Sequence, residues 1–535
     1  MSAAAWTVGR YVVETLVANG INTVLGIPGV HNIELYRGLG LAQVRHVLVR
    51  HEQNAVFAAD GYARASGTAA AAFVISGPGV TNALTALAQA YSDSVPLLLV
   101  ASAPIRPSLA QGWGVLHEIA DQRALAAQVT GFAGSARGDL QVRDHLRSAF
   151  AAMRSARTRP AYLDIPLDLI AEPTALRPQV FPRALVAPSP PRGSIEAALG
   201  LLSGARRPLI IAGGGARAAS APLTNLAQAL DTYVVTTVAG KGIIPESHPA
   251  SLGASLPFAA TQKLVAEADV VIAAGTELSE TDVFTTTRLA MNGPLVRIDV
   301  DEAKLADHYA AAVKIHGDAA QSLELLAREV KSRSGWRSRE GDAAAHRARI
   351  DAQLDAPARV MLGVLRALRA ALPAETIVFT DMTQVAYLGS YAFPVERAGL
   401  WFHPSGYGTL GYALPAAIGA KLAHAQRPVV ALAGDFGVQF TLQDLMTAVE
   451  HALTLPVVVW NNAALGQIRD DMRAAGIAPI DVVGRNPDFV ALAGACGAHG
   501  VRVHEAAALT EALRAALERR GPTLLEVVAA DFRVL

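Results

Sequence analysis

Apolar and polar positions along this chain fall into two alternating patterns. Short apolar runs, closed by glycine, proline, aspartate or asparagine, read as buried strands; between them lie longer stretches with helical spacing. In the first part, Val8 to Ala18 has helical periodicity, and Thr23 to Leu25, Val47 to Val49, Ala72 to Ile75 and Leu97 to Ala101 read as strands, with Tyr162 to Ile165 as a last one. Gly26-Ile27-Pro28-Gly29 and Gly77-Pro78-Gly79 sit at strand ends. Strands that are apolar throughout, alternating with helices, predict a parallel sheet covered on both faces.

The pattern breaks twice. Ala171 to Ser194 is rich in proline and predicts an extended linker. Lys331 to Ala356 is charged, alanine-rich and poorly patterned, as a second linker with some helix would be. Between the breaks, Pro208 to Ala212, Thr232 to Val238, Val270 to Ala274 and Leu295 to Val300 are strand candidates. After them come Ile377 to Thr380, Val429 to Ala433, Val457 to Trp460 and Thr523 to Val528. The expected fold is α/β in three domains, 1–170, 190–330 and 357–535, each a mostly parallel sheet flanked by helices. No repeat at a solenoid period is visible.

Composition narrows the class. The 535 residues are 52% hydrophobic and 17% charged, which fits several globular cores and not a disordered chain. The 46 basic and 46 acidic side chains balance without long blocks of one sign, so nothing favours nucleic acid or an anionic membrane as partner. A single cysteine, Cys496, excludes an internal disulfide framework and a cysteine-based zinc site. No signal-peptide pattern opens the chain and no apolar run reaches about 20 residues, so a soluble cytoplasmic protein is expected.

Two places carry candidate chemistry. An apolar strand ends at Gly434-Asp435, a helix-like run follows, and a second strand ends at Asn461-Asn462. One βαβ unit brings those strand ends side by side. A carboxylate and an amide carbonyl suit Mg²⁺ holding a phosphate; the plainer alternative is that both residues cap helices. Glu52, in RHEQ, follows a strand and opens an apolar helix. Buried there, its pKa would rise and it could share a proton with a ring nitrogen; alone, it reads more readily as an acid stabilised by the helix dipole. Gly213-Gly214-Gly215 fits a loose dinucleotide fingerprint, but Asp231 precedes the next strand instead of ending it, so a tight turn is the better reading.

Together RHEQ, AADGYAR, SGPGVTNALTALAQAYSDSVPLL, PSGYGTLGYALPAAIGA, VIAAGTELS, VRIDVD and the Asp435…Asn462 pair resemble the acetolactate synthase and 2-oxo acid decarboxylase superfamily, which uses thiamine diphosphate. The resemblance implies a pyrimidine-binding, a central and a diphosphate-binding domain. It makes Glu52 the carboxyl on the aminopyrimidine ring, Leu410 the apolar wedge under a bent cofactor, and the Gly408 carbonyl the acceptor of its amino group. Asp435, Asn462 and the Ala464 carbonyl become the Mg²⁺ ligands, and Phe436 and Gly437 offer N–H groups to the diphosphate. Phe436 stands where the family has glycine, so the turn is expected to shift onto Gly437. The cofactor would lie between two subunits, giving a homodimer at minimum and commonly a homotetramer. FAD, which some relatives carry in the central domain, is left open; a yellow purified protein would reveal it.

The substrate must be read at the pocket. GIPGVHNIELYRGL, GWGVLHEIADQRA and ALGQIRDDM look most like the 5-guanidino-2-oxopentanoate (2-ketoarginine) decarboxylases. His31 and His117 would then face the reacting carbons as proton donors. Asp470 and Glu118 are candidates for a guanidinium tail; Asp121 and Asp471 read as solvated helix residues. His46, His248, His403, His424 and His451 are expected to be structural. A carboligase of the acetolactate synthase type is the alternative, although His117 replaces its glutamine and no tryptophan follows the Asn pair. A non-catalytic homologue would be expected to lack Glu52.

Overall fold

The computed structural model describes residues 6–40, 42–182, 187–284, 286, 288–332, 335, 337, 341 and 343–534. The chain's first five residues, 183–186 of the proline-rich linker and parts of the 331–356 stretch lie outside the described residues.

Three parallel sheets are present. The first contains β1 (Thr23–Gly26), β2 (Arg45–Leu48), β3 (Ala71–Val74), β4 (Leu98–Ala103), β5 (Phe132–Ser135) and β6 (Ala161–Pro166), in the order β2-β1-β3-β4-β6-β5. The second contains β7 (Pro208–Ala212), β8 (Tyr233–Thr236), β9 (Val270–Ala274), β10 (Leu295–Asp299) and β11 (Val313–His316), in the order β11-β10-β9-β7-β8. The third contains β12 (Ile377–Thr380), β13 (Trp401–Phe402), β14 (Val429–Gly434), β15 (Leu455–Asn461), β16 (His499–Val503) and β17 (Pro522–Val528), in the order β13-β12-β14-β15-β17-β16. Helices cover the faces, so the fold is the α/β arrangement the periodicity predicts.

The strands that periodicity missed are β5, β11, β13 and β16, and each ends a sheet. β5, β11 and β16 are partly exposed, and β13 is only two residues long. A strand covered on one side only needs no continuous apolar run. At the first linker, a helix begins at Arg192, slightly before the expected end. At the second, Ala343–Asp351 is helical.

The first and third domains share one apolar core, running from Val47 and Phe57 to Ala416 and Val457. Its seam is the crossing of helices Glu52–Ser66 and Ala413–Ala423. The backbones touch there: a Cβ on Gly61 would lie 1.9 Å from the Ala416 carbonyl oxygen, and one on Gly419 would lie 1.8 Å from that of Ala58. Polar contacts flank the seam. Arg64, buried, is paired with Asp60 and Asp93; Tyr412 OH donates to Asp60; Thr409 Oγ1 donates to Gln89.

Candidate active site

In a parallel sheet, binding crevices form beyond the carboxyl ends of the strands. The sequence-singled residues gather at two such edges. The first is the carboxyl edge of β1 to β4. Glu52 is the first residue of its helix, and its Oε2 accepts from Asn82 Nδ2 at 3.0 Å. The burial expected for Glu52 is not reached within one chain. The residue is only half-buried. Its turn is held from the third domain by buried Asp444, which accepts from Arg50 N–H at 3.0 Å and from Asn54 Nδ2.

His31 lies in the loop after β1, in a turn closed by buried Asn32, whose Oδ1 accepts from Gly29 N–H at 2.8 Å. His31 is buried, with Nδ1 2.5 Å from Ser76 Oγ. The His117 ring meets it edge-on, with centroids 4.7 Å apart. Burial and the neighbouring His117 push the His31 pKa down. His117 has φ 64°, and its carbonyl packs where a Cβ on Gly77 would stand. Glu118 closes its own loop. One carboxylate oxygen accepts from Gly112 N–H (2.9 Å), the other from Gly114 N–H (2.7 Å) and Val115 N–H (3.2 Å). Asp121 caps the helix Gln122–Ala127.

The second cluster is the carboxyl edge of β12, β14 and β15. Pairing of Gly434 with Trp460 sets Asp435 beside Asn461-Asn462. Asp435 is buried; its Oδ2 accepts from Asn486 Nδ2 at 2.7 Å and its Oδ1 from Phe436 N–H at 3.0 Å. Burial pushes this carboxyl up, against those donors. Among the described residues no cation pairs with it. Asn461 is tied to Asn486 and Glu526, whereas the Asn462 side chain accepts only the nearby N–H of Ala464 at 3.2 Å. One buried carboxylate without a counter-charge, one amide oxygen and the Ala464 carbonyl form an all-oxygen donor set, which fits a hard divalent cation.

The expected shift of the turn onto Gly437 does not occur. Phe436 and Gly437 both continue the helix Asp435–Gln439, and neither has positive φ. Gly437 answers a different need, since a Cβ there would come within 3.0 Å of the Asp381 carboxyl. Phe436 fits without glycine because helical backbone accepts any L residue; its ring packs on Gly484.

Asp381, at the end of β12, was not singled out in the sequence. Both its oxygens accept from Gly411 N–H, at 3.0 and 2.9 Å, and burial pushes its pKa to about 6. It thereby anchors the turn Gly408-Thr409-Leu410-Gly411, in which Gly408 and Gly411 have φ of 74° and 84°. Leu410 is half-buried and the Gly408 backbone exposed, so the turn offers an apolar side chain and a free carbonyl edge to a ring-bearing ligand. Asp444, Ser76 and Asn486 were missed as well. An acid closing an apolar strand, as at Asp435, is a signal that marks Asp381; Asn486 has none. Asp470 accepts from Arg469 Nε at 3.0 Å and from Gln384 Nε2 at 3.1 Å. His403 is buried beside Thr380 Oγ1 at 2.8 Å, and burial lowers its pKa to about 4.

The polar contacts joining the first domain to the third include those of Arg45, Arg50, Asn54, Asp60, Gln89 and Asp93. None of them links Glu52, His31 or His117 to Asp435 or Asn462. A cavity of about 820 Å³ lies elsewhere, at the carboxyl edge of the second sheet where the three domains meet. Gly214 and Gly215 border it, and a Cβ on the preceding Gly213 would lie 2.4 Å from the Gly275 carbonyl, so close packing of two turns explains that glycine. Asp231 points away, to Gly335 and Arg337. Among the described residues no helix is long and apolar enough to cross a membrane.

Three family models match the chain: the N-terminal TPP binding domain of thiamine pyrophosphate enzymes over residues 6–125, their central domain over 195–326, and their C-terminal TPP binding domain over 381–527. The chain is 47% identical over 532 residues to the probable 2-ketoarginine decarboxylase of Pseudomonas aeruginosa, covering 97% of this chain and 94% of that one. It is 29% identical over 541 residues to the acetolactate synthase isozyme 1 large subunit of Escherichia coli, covering 98% and 94%. For the isozyme 3 large subunit the identity is 32% over 534 residues, covering 95% and 92%.

Proposed function

Because the chain belongs to the thiamine pyrophosphate enzyme family, we propose that it catalyses the non-oxidative decarboxylation of a 2-oxo acid, with 5-guanidino-2-oxopentanoate as the favoured substrate. The observation that carries the reading is the presence of two such edges. Glu52 with two histidines lies on one, and a counter-charge-free Asp435 with Asn462 lies on the other. The 47% identical 2-ketoarginine decarboxylase supports the substrate class.

The bound cofactor supplies a nucleophilic carbon and an electron sink for the departing carboxylate. The chain's own residues do the rest. Glu52 holds a proton at a cofactor ring nitrogen. Leu410 wedges the cofactor, which supplies proximity, and the Gly408 carbonyl accepts from its amino group. Asp435, Asn462 and the Ala464 carbonyl hold Mg²⁺, and the N–H groups of Phe436 and Gly437 face the diphosphate. His31 and His117 face the substrate. Of the two carboxylates expected near the guanidinium tail, Glu118 is consumed by its own loop, so the proposal passes to Asp470.

The active unit is a homodimer, or a homotetramer of two such pairs, in which the first edge of one subunit faces the second edge of its partner. The separation of the edges within one chain supports this. So do the exposed apolar side chains beside them: Val30, Ile33, Trp113 and Leu116 on the first, Phe440, Ile480 and Val483 near the second.

Assaying 2-oxo acids with guanidino, aromatic and short aliphatic tails, with thiamine diphosphate and Mg²⁺, tests the reading. Carbon dioxide with an aldehyde from the guanidino acid is expected. Acetolactate from pyruvate as the main product would favour the carboligase reading, which the acetolactate synthase relatives support. Calorimetry tests the metal site separately. In Asp435→Ala, thiamine diphosphate binds weakly and Mg²⁺ no longer strengthens it; unchanged affinity would remove the metal assignment.

A further inference from the structure

Loops after three neighbouring strands close on His31. Ser76, after β3, is fully buried, and its Oγ lies 2.5 Å from His31 Nδ1. Its backbone N–H donates to Ser102 Oγ at 3.1 Å. The next N–H, of Gly77, donates to Gln122 Oε1 at 3.3 Å, and Gln122 Nε2 donates to the Ser102 carbonyl at 2.8 Å. The hydroxyl is therefore held under the imidazole by a buried backbone network. Among the described residues, His31 Nδ1 is the only hydrogen-bond partner of Ser76 Oγ.

A serine hydroxyl has one proton to donate. If His31 Nδ1 carried a proton, Ser76 Oγ would have to accept it, and the buried hydroxyl proton would be left without an acceptor, which is unfavourable. If Ser76 donates to Nδ1, every group is satisfied, and the neutral ring carries its proton on Nε2. The imidazolium form is disfavoured twice: it requires Nδ1–H, and it places a positive ring 4.7 Å from the His117 ring. We propose that Ser76 is a positioning residue that locks His31 as the neutral Nε2–H tautomer, so that His31 offers the substrate a hydrogen bond and not a proton.

The direction in which burial and His117 move the His31 pKa agrees. His117, on the loop after β4, is the titratable group acting on the ring; Ser76, Ser102 and Gln122 are uncharged. A neutral imidazole cannot release its Nε2 proton without becoming an anion. The proton for the product carbon then comes from His117, whose ring lies against that of His31. The His117 N–H bond breaks as the new C–H bond forms, and that ring returns to neutral. This division of roles departs from the expectation that both histidines donate protons, and it rests on the proposed placement of His31 and His117 at the substrate.

The test starts on the wild-type protein without cofactor, labelled with ¹⁵N-histidine, the His31 signals being assigned by their loss in His31→Gln. Nitrogen shifts are expected to place the proton on Nε2. Ser76→Ala should raise the proton affinity of His31 about tenfold, and Ser76→Thr should restore it. In the holoenzyme, His117→Gln should lower kcat at least about a hundredfold and remove one ionisation from its pH profile. His31→Gln, which keeps an N–H donor, should lower kcat about tenfold and leave the profile in place. A resting His31 protonated on Nδ1, an unchanged titration in Ser76→Ala, or a pH profile that follows His31 instead of His117 would overturn the proposal. The tautomer is read without cofactor or substrate. A protein that shows it but releases no carbon dioxide from any 2-oxo acid counts against the proposed function and not against Ser76.

Discussion

Glu52→Gln is expected to lower turnover by about 10²–10⁴-fold while the fold and cofactor binding survive. Glutamine keeps the shape and an acceptor for Asn82 Nδ2, which donates to Glu52 Oε2 at 3.0 Å. What it loses is the ability to exchange a proton with the cofactor ring, together with a favourable charge at a helix N-terminus worth about 0.3–1 kcal/mol. The effect on rate therefore far exceeds the effect on stability. Carbon dioxide release measured beside thermal unfolding separates the two. Wild-type turnover in the variant would sink the assignment of Glu52. Loss of activity in step with loss of fold would return Glu52 to the role of a helix-terminal acid. Glu52 is half-buried in one chain, so the proposed dimer predicts that subunit pairing completes its burial.

The second large effect is on stability. Gly61→Val and Gly419→Val put a Cβ 1.9 Å from the Ala416 carbonyl oxygen and 1.8 Å from that of Ala58. Neither glycine has a positive φ, so the demand is for space and not for an unusual conformation. Both obstacles are backbone atoms of a packed helix and cannot swing aside. The helices must separate, and the contacts of the seam between the first and third domains loosen together. Overpacking alone costs about 1–3 kcal/mol, and a displaced backbone at this seam is expected to exceed that. Denaturant unfolding should show the first transition of either variant well below that of wild type. Gly200→Ala is the control. It lies within the helix Arg192–Gly204 with nothing inside 4 Å of the new Cβ, so replacing glycine there should stabilise by about 0.5–1 kcal/mol. A Gly419→Val protein as stable as wild type would show that the two helices can part freely.

The chain by itself determined the inner strands of all three sheets and the strand ends that carry Glu52, Asp435 and Asn462. The reason is local: a strand buried on both faces must be apolar along its whole length, and the residue that stops the run marks the carboxyl edge. Four of the six strands at sheet borders, β5, β11, β13 and β16, escape this logic because one side faces solvent or a neighbour. Only the tertiary structure decided that Asp381 anchors the Gly408–Gly411 turn, that Asn486 orients Asp435, and that Ser76 lies under His31. It also decided that Asp444 grips the Arg50 backbone just before Glu52 from 394 residues away. It changed the reading of Glu118, whose carboxylate serves its own loop, and of Phe436, which needs no special backbone. Hydrogen-bond partners brought together by folding leave no period and no local spacing in the chain. Most form between loops that one sheet gathers at its carboxyl edge, and the Asp444 contact forms where the first and third domains pack together.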